Sequence, residues 1–158
     1  MSTKKAVYLF FGEDTYSAHN KMTFWRGEFE KKHGGDMNIE TLEGKPLQAN
    51  DFRSNVQSAP FLADKRMVIV KDFLSKGNKD EQKKVAEILE EDIPDFCVVV
   101  FVEYGSPDKR TALYKKINKV GHPEEFKAMM GPELMRWIQD RSKKIGLNIN
   151  SQMASYIG

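Results

Sequence analysis

Four segments with strand-like apolar patterns lie along the chain, at residues 6–11, 37–42, 67–70 and 96–102. A further short strand is expected around Glu125 and Phe126. Residues 67–70 and 96–102 are hydrophobic at every position, which is typical of strands covered on both faces of a sheet. Because residues 96–102 form the longest of these runs, we expect them at the centre of the sheet.

Segments of helical periodicity separate the strands, at residues 15–32, 50–58, 79–91 and 109–118. The apolar positions of the first recur at helical spacing, at Ala18, Met22, Trp25 and Phe29. Asp14 or Thr15 is expected to cap its start, and Gly34 and Gly35 to stop it. The alternation of strands and helices predicts an open, mostly parallel α/β sheet flanked by helices.

A boundary is expected near Gly131 and Pro132. Residues 1–128 then form the α/β domain, and residues 129–158 begin a small helical domain. Its first helix is predicted to carry Leu134 and Trp137 and to end at Gly146, and a second helix to start at Ser151. Because two short helices cannot bury an apolar face of their own, we expect the chain to be part of a longer protein.

Composition excludes several classes of protein. The 158 residues include 25 Lys and Arg against 23 Asp and Glu, a net charge of +2, which disfavours an independent DNA-binding module. The apolar run near the N-terminus spans only residues 6–11, too short for a signal peptide or a membrane span, so we expect a cytoplasmic protein with no membrane partner. Cys97 is the single cysteine and is expected in the core.

The residues after the first strand do not match a phosphate-binding loop. Counted from Gly12, the Gly-Lys-Ser/Thr positions of such a loop hold Ser17, Ala18 and His19. The three histidines have no metal-ligand spacing, and no nucleophile motif occurs. We therefore predict no catalytic residue, cofactor or metal. The alternative is a divergent nucleotide-binding enzyme with an unorthodox phosphate loop at residues 12–16.

Two surfaces are candidate interfaces. The loop between the predicted helix at 50–58 and the strand at 67–70 carries Pro60, Phe61 and Leu62 where polar turn residues would be usual. These side chains either insert into a partner's pocket or fold back onto the sheet. The second surface is a basic face predicted on the helix at 109–118, which is either a solvated surface or a nucleic-acid contact; its members are Lys109, Arg110, Lys115, Lys116 and Lys119.

Several segments together resemble the N-terminal part of the delta subunits of the bacterial DNA polymerase III clamp loader. The most specific is Gln57-Ser-Ala-Pro-Phe-Leu-Ala-Asp-Lys-Arg-Met-Val-Ile-Val70, followed by Asp108-Lys-Arg-Thr-Ala-Leu-Tyr-Lys115. The others are Tyr8-Leu-Phe-Phe-Gly-Glu-Asp14, Leu42-Glu-Gly44, Trp137-Ile-Gln-Asp-Arg141 and Gly146-Leu147. The resemblance runs through essentially the whole chain.

This resemblance implies an AAA+-like first domain without an ATP site, a small helical domain and a third helical domain beyond residue 158. It implies a non-catalytic subunit that binds the sliding clamp and opens its ring. Contacts with the other loader subunits would run through the third domain, and DNA would be met in the assembled complex. The family's clamp-binding element pairs two hydrophobic residues and falls on Pro60, Phe61 and Leu62, so the pair is either Pro60–Phe61 or Phe61–Leu62.

Overall fold

The computed structural model describes residues 4–128 and 132–144, and the chain divides into two compact units, Met1–Phe126 and Lys127–Gly158. The strands of the first unit are β1 (Val7–Phe11), β2 (Ile39–Glu43), β3 (Arg66–Lys71), β4 (Cys97–Val102) and β5 (His122–Glu125). Its helices are α1 (Thr15–Lys32), α2 (Ala49–Gln57), α3 (Phe73–Lys76), α4 (Lys79–Glu91) and α5 (Ala112–Val120). The second unit contains α6 (Pro132–Lys144).

The five strands form one parallel sheet in the order β2-β3-β4-β1-β5. The strand β4 lies at its centre, as its continuous hydrophobicity predicts. Val99 of β4 is in register with Val7 on one side and Val68 on the other. The α/β architecture with a parallel sheet and flanking helices is confirmed.

Both faces of the central strands are buried, which explains why these strands do not alternate between apolar and polar residues. Val68, Val99 and Leu9 point to the face covered by α2, α4 and α5. Ile69 and Val100 point to the opposite face, where they pack with α1. Each such fully buried side chain contributes roughly 1.5–3 kcal/mol. Cys97 is buried in the first of these clusters, as expected.

The limits of α1 follow from its cap residues. The Ser17 amide donates to Asp14 Oδ1 at 3.0 Å, so of the two predicted caps, Asp14 and Thr15, Asp14 is the N-cap. At the other end Gly34 and Gly35 have φ of +79° and +94°, a backbone conformation that ends a helix and that glycine adopts without strain.

Some predicted boundaries are wrong. Met37 was expected in the second strand but lies in a 3₁₀ turn, Asp36–Asn38. The helix expected from residue 109 begins at Ala112 because the Thr111 hydroxyl accepts from the Tyr114 amide. Lys109 and Arg110 therefore precede that helix and do not belong to its face. The last strand ends at Glu125 rather than including Phe126, and α3 was not predicted.

The second unit is described from α6, which begins with Pro132 at the first helical position, where the missing amide hydrogen is tolerated. The Ser142 hydroxyl donates to the Ile138 carbonyl at 2.9 Å. The predicted end at Gly146 and the helix predicted from Ser151 lie outside the described residues. Among the described helices, α1 to α6, none is long and apolar enough to span a membrane.

Candidate partner-binding loop

The apolar loop joins α2 to β3 and presents two adjacent hydrophobic side chains to solvent. Phe61 is 58% exposed and Leu62 is 87% exposed, whereas Pro60 is half-buried. Neither Phe61 nor Leu62 belongs to a core cluster of the described chain. Of the two interpretations of this loop, the exposures favour insertion into a partner over packing onto the sheet.

Asn38 fixes the main chain of Phe61. Its side-chain amide donates from Nδ2 to the Phe61 carbonyl at 2.8 Å, and its Oδ1 accepts from the Phe61 amide at 2.6 Å. Asn38 is only 2% exposed. One buried side chain therefore satisfies both main-chain groups of Phe61, as a neighbouring strand would, and leaves the phenyl ring free to point outwards.

The loop geometry is strained at Leu62, whose φ is +53°. A non-glycine residue in this left-handed region costs roughly 1–2 kcal/mol. The ends of the loop are held by side chains: the Ser58 hydroxyl donates to the Ser54 carbonyl at 2.7 Å, and Arg66 Nε donates to the Asn55 carbonyl at 2.8 Å. The loop is thus held at both ends and at Phe61.

A shallow recess of about 260 Å³ lies between this loop and the end of α1. It is lined by Lys32, His33, Gly34, Leu62, Ala63 and Asp64. Leu62 forms part of its wall, so a side chain that contacts Leu62 could also reach Lys32 at the end of α1.

The alternative phosphate loop would lie at residues 12–16, before and at the start of α1, where the amides of Gly12, Asp14 and Ser17 already have acceptors. The Gly12 amide donates to the Gly105 carbonyl and the Asp14 amide to the Phe126 carbonyl, each at 2.9 Å. The Ser17 amide donates to the Asp14 carboxylate, as described above. A negative charge of the protein therefore occupies the helix N-terminus where a phosphate would bind.

A buried carboxyl lies at the end of β4. Glu103 is 1% exposed and accepts from the amides of Leu74 and Ser75 at the start of α3, at 3.1 and 3.0 Å. Burial raises the pKa of Glu103 to about 7, against the effect of these hydrogen bonds. Asp72 accepts from the Tyr104 amide at 3.0 Å. Both acids have partners within the chain, and within residues 4–128 and 132–144 no His, Cys, Asp and Glu side chains form a group suited to a metal ion.

Sequence reasoning identified the loop but missed Asn38, which holds its main chain, and the buried Glu103 beside the start of α3. Asn38 is 23 residues from Phe61 in the chain and lies in a segment predicted as strand. Only the pairing of β2 with β3 brings the two segments together, and no local pattern encodes that contact.

Comparison with known proteins relates the chain to replication proteins. The family model described as DNA polymerase III, delta subunit, matches residues 8–127. The DNA polymerase III subunit delta of Bacillus subtilis (strain 168) is 20% identical over 158 residues, which cover 96% of this chain and 46% of that protein. The chain therefore spans less than half the length of this relative.

Solved structures share the fold. The Bacillus subtilis DNA clamp loader delta protein matches with a TM-score of 0.67 and 20% identity, over 97% of this chain and 47% of that one. A RuvB variant from Thermotoga maritima matches with a TM-score of 0.57 and 14% identity, over 94% of this chain and 46% of that one. These likenesses confirm the AAA+-like fold. Since the family model covers well over half of the sequence, the chain belongs to the DNA polymerase III delta subunit family.

Proposed function

We propose that this chain is the clamp-binding part of a clamp-loader delta subunit and that Phe61 and Leu62 insert into a pocket of the sliding clamp. The observation that carries the proposal is the pair of exposed apolar side chains on a restrained loop. Apolar anchors of this kind dominate the binding energy of many interfaces. Pro60 is half-buried, which supports a role in shaping the loop and favours Phe61–Leu62 as the inserted pair.

Ring opening follows from differential binding. If the loop fits the clamp better when a ring interface is parted than when it is closed, binding shifts the equilibrium towards the open ring. This mechanism uses no chemistry of the delta subunit itself. ATP would be hydrolysed by sibling subunits of the loader, as the family resemblance implies.

Non-catalytic behaviour is part of the proposal. The acceptors already engaged by the amides of Gly12, Asp14 and Ser17 support it, since a bound phosphate would have to displace them. The competing hypothesis, a nucleotide-binding enzyme with its phosphate loop at residues 12–16, has no supporting contact in the described chain.

The proposed domains follow from family membership. Residues 1–128 would be an AAA+-like domain without an ATP site, and residues 129–158 would be the start of a helical lid.

The remaining partners are proposed from family membership and net charge. Other loader subunits would bind through a third domain beyond residue 158. DNA would be contacted in the assembled loader, since a net charge of +2 does not favour strong binding by this part alone. The complex would act in the cytoplasm.

The test is a titration of the chain against immobilised sliding clamp from the same source. Phe61→Ala should weaken binding by about thirtyfold or more, because loss of an apolar anchor costs about 2 kcal/mol or more. Leu62→Ala should weaken it more than Pro60→Ala does. The matched control is Phe24→Ala, which removes another exposed phenyl ring, 64% exposed, from α1 and should leave affinity unchanged.

Two results would contradict the proposal. The first is a wild-type chain that does not bind the clamp. The second is an equal loss of affinity for Phe61→Ala and Phe24→Ala, which would mean that general surface hydrophobicity, and not the loop, accounts for binding.

A further inference from the structure

The Asn38 side chain holds the main chain of the candidate loop in place through two hydrogen bonds. It is buried, and both of its polar atoms are used by the main chain of a single residue, Phe61. The contact joins the 3₁₀ turn before β2 to the middle of the loop after α2. Asn38 cannot touch a partner directly at 2% exposure, so any effect on binding must pass through Phe61.

The loop needs these hydrogen bonds because its backbone conformation is one that its residues do not favour. Leu62 has a φ of +53°, which leucine rarely adopts in an unconstrained chain. A loop released from Asn38 would relax towards more populated conformations, and the two apolar side chains would no longer be held side by side. A partner would then have to order the loop on binding, which lowers affinity.

We infer that Asn38 is a positioning residue that holds Phe61 and Leu62 in the geometry a sliding clamp binds. This inference rests on the proposed function. Loss of the Asn38 hydrogen bonds should lower affinity because the loop of the free protein becomes more disordered. The Phe61 side chain itself can still enter the pocket of the sliding clamp. The effect of Asn38 should therefore be smaller when the Phe61 ring is absent and only Leu62 remains to be held.

The experiment is a double-mutant cycle measured by titration against the sliding clamp. Asn38→Ala should weaken binding about tenfold in the wild-type background and clearly less in the Phe61→Ala background. Asn38→Asp keeps the size of the side chain but loses the donor to the Phe61 carbonyl, so it should also weaken binding. The control Asn78→Ala removes another asparagine that accepts from two main-chain amides, those of Asp80 and Glu81, and should not change affinity per folded molecule.

Hydrogen exchange tests the contact without a partner protein. In the wild-type protein the Phe61 amide should be protected although its side chain is exposed, and in Asn38→Asp it should exchange faster. An unprotected Phe61 amide in the wild type would overturn the inference. So would wild-type clamp affinity in a folded Asn38→Ala or Asn38→Asp, or an equal effect of Asn38→Ala with and without Phe61. Failure of the wild-type chain to bind the clamp would instead overturn the proposed function on which the inference rests.

Discussion

The main chain of Gly12 lies directly against that of Phe126. A Cβ placed on Gly12 would be 2.2 Å from the Phe126 carbonyl oxygen, well inside van der Waals contact. The two residues close the end of the sheet, since the Phe126 amide donates to the Phe11 carbonyl at 2.7 Å next to this contact. The glycine that follows β1 therefore serves close packing of two chain segments.

Gly12→Ala should destabilise the fold more than Gly105→Ala does. Both glycines have a left-handed backbone, with φ of +130° and +135°, so alanine is strained by about 1–3 kcal/mol at either position. A Cβ at Gly105 meets nothing within 4 Å, whereas at Gly12 it collides with Phe126 and should cost about 1–3 kcal/mol more. Urea unfolding of both variants measures the difference, and equal losses would contradict the close contact.

Millimolar Mg²⁺·ATP should leave the melting temperature of this chain unchanged. A ligand that binds only the folded state raises the melting temperature, and here the amides of Gly12, Asp14 and Ser17 already donate to acceptors within the chain. Thermal unfolding with and without nucleotide is the measurement. A rise that grows with ATP concentration would support the competing nucleotide-binding hypothesis.

The sequence predicted those parts of the fold that local patterns determine. The apolar run of β4 requires burial on both faces, so its central position was predictable. The cap of α1 was narrowed to Asp14 or Thr15, because either side chain can accept from a free amide of the first turn, and the structure selects Asp14. The position of Met37 was not predictable. Its alternation with Ile39 indicates a strand, but the turn at Asn38 is set by hydrogen bonds to Phe61.

The position of the candidate loop in the chain was predictable, but the exposure of its apolar side chains was not. Adjacent apolar residues after Pro60 marked it, yet the sequence equally allowed them to fold inwards. Their exposure depends on the left-handed turn at Leu62 and on the distant Asn38. Both are tertiary features, which local propensity does not specify.

The free energy of unfolding should fall as pH rises from about 4 to 8 because of Glu103. Burial raises the pKa of its carboxyl to about 7, whereas in the unfolded chain it is about 4.3. Between these values the folded protein holds a proton that the unfolded chain has lost, so raising the pH favours unfolding. Between pH 4 and pH 8 this difference in pKa corresponds to about 3 kcal/mol.

Comparison with Glu103→Gln isolates this contribution, since glutamine does not titrate. The stability of the wild type relative to the variant should fall by about 3 kcal/mol between pH 4 and pH 8, measured by urea unfolding at each pH. The control is Glu90→Gln, because hydrogen bonds from Lys116 and Lys119 lower the pKa of Glu90 to about 2. A lowered pKa has the opposite sign, so the stability of the wild type relative to this variant should not fall between pH 4 and pH 8. A wild-type stability that rose relative to Glu103→Gln would show that the amides of Leu74 and Ser75 outweigh burial.

Phe61→Ala should leave the fold nearly as stable as the wild type. With 58% of the residue exposed, little apolar surface returns to water on truncation, and the loss should be under about 1 kcal/mol. Phe52→Ala is the matched comparison, because it removes the same atoms from α2, where the ring is fully buried, and should cost about 3–5 kcal/mol. Urea unfolding of the two variants side by side decides between an exposed anchor and a core residue. A loss at Phe61 as large as that at Phe52 would mean that the ring packs inwards in solution, and a weaker clamp affinity of Phe61→Ala would then reflect a damaged fold rather than a lost contact.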